Sequence, residues 1–147
     1  MRDLLVFLHI VGVAGWVGGG LYSVYAYSTV ARLEPAAAGA AVEVLQKRDD
    51  RFFGPLIGLV VLSGIGLVLT SDAYGWGDTF VLIGFGAFVL SGIMNAIIGK
   101  KNNERMVEAS SSGSGMAEAL RSWQRGTAWD FVILFVVIWA MITKIGA

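Results

Sequence analysis

The chain contains no cysteine, so it carries no disulfide framework, no thiolate metal site and no cysteine nucleophile. It has a single histidine, His9, and two prolines, Pro35 and Pro55. Charge is scarce: Asp, Glu, Lys and Arg make up 15% of the residues, and eleven basic side chains are matched by eleven acidic ones. A chain so sparsely and evenly charged lacks the basic footprint of a nucleic-acid partner, so no nucleic acid is expected. Walker-type loops, a dinucleotide fingerprint after a strand and a His-Glu-x-x-His pair are all missing; Gly18-Gly19-Gly20 falls inside an apolar run.

What is present is apolar. Hydrophobic residues make up 56% of the 147, and the mean hydropathy is +0.69. Such a composition cannot cover itself with polar surface, so a lipid bilayer is expected as part of its solvent. The length fits one domain.

Four uncharged runs stand out: 4–31, 52–71, 79–99 and 131–143. The first covers 28 residues, enough at helical rise to cross a bilayer core of ~30 Å. It lacks the basic n-region of a signal peptide and is expected to stay as a span. The fourth run, with 13 residues, must extend past Asp130 and Lys144 to cross. These are continuous runs rather than alternating ones, which excludes barrel strands. The expected fold is therefore all-α: an integral membrane four-helix bundle of antiparallel up-down topology. The spans are placed at about 3–31, 52–72, 78–100 and 126–145, with connections 32–51 and 101–125.

Nine of the eleven basic residues fall at the longer connections, against Arg2 and Lys144 at the other side. The asymmetry puts those connections in the cytoplasm and both termini outside, in a multi-pass protein of a bacterial inner membrane. The 72–78 segment, with two glycines, two aspartates and two aromatics, reads as a turn at the interface. Pro35 marks a break before an Ala-rich helical stretch, Pro55 reads as the first-turn proline of helix two, and 110–115 reads as a flexible Ser/Gly linker. Twenty glycines, including the pairs Gly15/Gly19 and Gly54/Gly58, suit close helix packing and a homo-oligomer formed through glycine-rich faces.

Few side chains in the spans carry chemistry. His9 sits roughly 7–8 Å inside the outer end of helix one, and Trp16 and Ser23 share its face, with Gly12 and Val13 beside it. A neutral imidazole is a ligand for haem iron or another metal; the plain alternative is a hydrogen bond to a neighbouring helix. Met141 and Lys144 reach a similar depth on helix four, Met141 as a second donor or as packing, Lys144 as part of the site or as an interfacial anchor. Bis-histidine ligation requires two copies of the chain. At the inner end, Asn95 and Asp130 share a depth and form a second polar site, bonded to each other or to Arg51 or Arg125.

Leu8-His9-x-x-Gly12-x-x-x-Trp16-x-Gly18-Gly19, Pro55, Leu62-Ser63-Gly64-x-Gly66-Leu67 and Trp139-Ala140-Met141-Ile142-Thr143-Lys144 together resemble a bacterial family of predicted four-span integral membrane proteins of unknown function. The first helix is also similar to that of copper-resistance D-type membrane proteins and of the HemJ-type protoporphyrinogen oxidases, which bind haem through a first-helix histidine. That likeness implies haem b, with His9 as an axial ligand and Lys144 at the position of a functional lysine. The expected function is haem binding with a redox role. The alternatives are a transporter or channel-like bundle for copper or a small solute, and an accessory subunit of a membrane complex.

Overall fold

A computed structural model describes residues 1–30, 32–112 and 114–146. Ala31, where the first span was expected to end, and Gly113 of the expected linker lie outside the described residues. The described chain folds into α1 (Arg2–Val30), α2 (Pro35–Leu69), α3 (Thr79–Met94), a π-helical turn (Asn95–Gly99), α4 (Lys100–Ser112) and α5 (Met116–Thr143). No strand occurs among the described residues. The π turn joins α3 to α4 in one rod, so four long helices result.

Local chemistry explains the helix ends. Asp3 sits in the first turn of α1, where a carboxylate complements the helix dipole. Pro35 opens α2, where its missing N–H is no loss. Asp78 precedes α3: its carbonyl accepts from the Val81 and Leu82 amides, and its carboxylate accepts from the Gly75 amide at 2.8 Å, closing the 70–78 turn. Gly115 leads into α5 with φ +80°, in the left-handed region that suits glycine.

Two boundaries differ from the sequence expectation. Pro55 is not a first-turn residue; it lies deep inside α2, which starts at Pro35 and runs unbroken through the charged stretch 47–51. The reason is that charge marks where a chain leaves lipid, not where a helix stops, and the Ala-rich 36–46 stretch favours helix. The second difference is in the linker, where α4 continues through Ser110 to Ser112.

At 35 residues α2 is roughly 50 Å long, well beyond a bilayer core. Its N-terminal half joins α4, the end of α1 and the start of α5 in a compact head. The head contains the main buried cluster: Tyr27, Val30, Ala38, Val42, Met106, Ala109, Ala119 and Leu120. The Tyr27 and Trp123 rings lie 4.5 Å apart at its edge. Asn102, 3% exposed, ties α4 to α5: its Oδ1 accepts from Ser122 Oγ at 2.9 Å and its Nδ2 donates to the Ser122 carbonyl at 3.4 Å.

The spans are built differently. Only 6–11% of each apolar window is buried within the chain, so most of its apolar surface must meet an external apolar medium. Four helices so long and so exposed make this a multi-pass membrane protein. Glycines set the α1–α2 contact. A Cβ at Gly12 would stand 2.6 Å from Val60 Cγ2, one at Gly15 2.9 Å from Leu56 Cδ1, and one at Gly66 3.1 Å from Leu5 Cδ2. Residue numbers rise along α1 as they fall along α2 through these contacts. Gly54, Gly58, Gly86 and Gly92 have no such neighbour within 4 Å.

Candidate functional site

α1 packs on α2 and α3 packs on α5, while α5 also touches α1, where a Cβ at Gly20 would meet Phe131 Cζ at 2.8 Å. α2 and α3 are consecutive in the chain yet do not pack on each other. Between the two pairs lies a cavity of about 500 Å³. Its size falls in the range of small-molecule and cofactor sites. Aliphatic and aromatic side chains make most of the wall, with Trp16 from α1, Phe85 and Phe88 from α3, and Met141 from α5. The polar groups that reach it are His9, Arg2, Lys144, Tyr74, Ser91 and Asp130.

His9 is fixed from across the helix pair. Its Nδ1 lies 3.0 Å from the Val60 carbonyl oxygen and 3.1 Å from Ser63 Oγ. The Val60 carbonyl can only accept, and the Ser63 hydroxyl donates to the Leu59 carbonyl at 2.5 Å. Nδ1 therefore carries a proton, and in the neutral ring Nε2 carries the lone pair. Nε2 has no hydrogen-bond partner among the described residues. Ser63 is 3% exposed, and Gly64 lets the ring lie close, with His9 Cε1 3.3 Å from where a Cβ would stand. A ring nitrogen bonded to a backbone carbonyl with the other left free is how a protein orients a metal-binding imidazole.

Lys144 follows the end of α5 in a left-handed conformation (φ 49°). Its ammonium donates to the Tyr74 hydroxyl and lies 4.7 Å from the centre of that ring. Met141 packs its methyl toward Gly84, 2.8 Å from the position of a Cβ there. Asp130 accepts from Ser91 Oγ at 2.8 Å and from Asn95 Nδ2 at 3.3 Å. Asn95 Nδ2 also donates to the Ser91 carbonyl at 3.1 Å, at the point where the π turn begins.

The cavity thus gathers His9, Trp16, Met141, Lys144 and Asp130, five of the six side chains singled out from the sequence. Asn95 reaches Asp130 but lies outside the cavity wall. The sequence suggested two separate polar sites; in the fold His9 and Asp130 line one space. The arginine partners considered for Asp130 are not used: among the described residues the ion pairs are Lys47–Glu43 and Arg48–Asp49. Ser23, further along the His9 face of α1, donates to Asp49 Oδ1 at 3.0 Å. No three His, Asp or Glu side chains gather into a metal cage among the described residues, so His9 stands as a lone strong donor.

Sequence reasoning missed Arg2, Tyr74, Val60, Ser63 and Ser91 as parts of this arrangement. A signal for Ser63 and Ser91 existed, since an apolar span holds few hydroxyls and each is available to a buried polar group on a facing helix. The Val60 carbonyl had no signal, because any backbone group can serve. Comparison with family models, curated proteins and solved structures finds no match to this chain.

Proposed function

We propose that this membrane protein binds a planar, largely apolar cofactor of the b-haem class between its two helix pairs, that His9 would hold its iron through Nε2, and that the protein has a redox role. The observation that carries this reading is His9 on the wall of a mostly apolar cavity, its Nδ1 held by the Val60 carbonyl and Ser63 Oγ and its Nε2 without a hydrogen-bond partner among the described residues. The residues present fit such a group. The volume suits it, a single imidazole is the usual protein donor to haem iron, and the thioether of Met141 is a second soft donor on the same wall. Arg2 and Lys144 bring positive charge to the cavity for acidic substituents, and Trp16 and the phenylalanines supply flat apolar surface. When bound, the group supplies one-electron chemistry. The chain supplies orientation through Val60 and Ser63, and the apolar walls exclude water.

The basic asymmetry supports the orientation, with nine of eleven basic residues at the helical head and its flanks. In this reading the head faces the cytoplasm of a bacterial inner membrane and the His9 end faces outward. The test is an absorption spectrum of the detergent-purified protein, expressed with full haem supply, beside His9→Ala. A Soret band that disappears in the variant supports the reading. A protein that folds and shows no band overturns it.

A further inference from the structure

The helical head carries a cleft that the cofactor reading does not use. Between α4 and α5 a space of about 680 Å³ is lined by Arg105, Arg121 and Arg125, with Ser122 between them. Arg121 and Arg125 are four apart on α5, so they share a face, and like charges at that spacing repel. Arg105 approaches from α4, its Nη1 3.5 Å from Ser122 Oγ. Glu108 and Glu118 line the same cleft, yet none of the three arginines forms an ion pair with a described residue.

Two features make this more than a scatter of surface charge. First, the bases of the arginines are held in place. The Asn102–Ser122 hydrogen bonds lock α4 to α5 at this level, and Met106 and Ala119, both buried, pack behind it. Second, the depth is that of lipid headgroups. The part of α5 from 126 to 143 has Asp130 as its one charged residue; Arg125 precedes it directly, and Arg121 lies one helical turn, roughly 6 Å, further out. Ser122, which Arg105 reaches, sits between them. Three arginines on the wall of one cleft at the edge of a span offer guanidinium forks for phosphate oxygens, which arginine binds in a bidentate way.

We propose that the Arg105–Arg121–Arg125 cleft is a binding site for the phosphate of an anionic phospholipid, which balances the positive charge left over by Glu108 and Glu118 and clamps α4 to α5. The site is independent of the cavity and of any cofactor there. The phosphate could also come from a soluble ion, and the experiment separates the two.

The full chain is placed in nanodiscs of phosphatidylcholine with or without phosphatidylglycerol, and retained lipid is read by native mass spectrometry after detergent release. The expected result is selective retention of phosphatidylglycerol, weakened roughly fivefold for each of R105Q, R121Q and R125Q. Lys101→Gln, which removes a nearby charge outside the cleft, should leave retention unchanged, and circular dichroism checks that each variant folds. Retention without headgroup selectivity, selectivity kept in the triple variant, or an equal loss in Lys101→Gln overturns the proposal. So does binding of inorganic phosphate at the three arginines without phosphatidylglycerol retention, which assigns the cleft to a soluble anion.

Discussion

At the scale of single residues, the two ring nitrogens of His9 differ: one is held by α2 and the other is unbonded. Nδ1 is tied to the Val60 carbonyl and Ser63 Oγ, and Nε2 has no hydrogen-bond partner among the described residues, while the residue lines the cavity. Ser63→Ala removes one of the two ties and leaves the backbone one. For the proposed haem, the variant should still bind but with an affinity weakened roughly tenfold, as happens when an outer-shell partner of a ligating histidine is removed. An equilibrium haem titration in detergent checks this, and an unchanged affinity contradicts it. Glycines give a second residue-level contrast. Gly12→Ala puts a Cβ 2.6 Å from the branched Val60 side chain and should destabilise the protein by about 1–3 kcal/mol. Gly86→Ala meets nothing within 4 Å and should be neutral or mildly stabilising. Thermal unfolding of the two variants side by side tests the pair.

At the scale of elements, the rod formed by α3 and α4 changes its winding where Asn95 and Ser91 turn toward Asp130. Asp130→Ala leaves the buried Ser91 hydroxyl and one Asn95 donor without their partner. The expected cost is about 1–3 kcal/mol, and Asp130→Asn, which keeps an acceptor, should lose less. Equal melting temperatures for wild type and Asp130→Ala would show that the carboxylate does not tie α3 to α5. The polar pair was legible because Asn95 and Asp130 are rare polar groups at one depth of two apolar runs. The extent of α2 was not legible. Hydropathy reports the lipid boundary near residue 51, whereas the helix passes straight through it and takes Pro55 into its interior. That proline leaves the Arg51 carbonyl without its helical donor.

At the scale of the whole molecule, the fold has a well-packed helical head and loosely packed spans that enclose a cavity. Met106, fully buried in the head, should cost about 2–5 kcal/mol when replaced by Ala. Phe135→Ala, at a lipid-facing position 57% exposed within the chain, should cost much less in detergent. Denaturation of the two variants compares the head with the spans. The four spans could be read from their apolar runs, because bilayer thickness sets a length that sequence must meet. The cavity could not, because it arises from α2 and α3 failing to pack despite their short connection, and from α5 reaching back to α1. Those are tertiary choices with no local mark. The proposed role of His9 Nε2 toward a cofactor in that cavity is read out by the absorption spectrum. The wild type should show a Soret band that is lost in a folded His9→Ala protein. A wild type without the band under full haem supply, or a variant that keeps it unchanged, would contradict it.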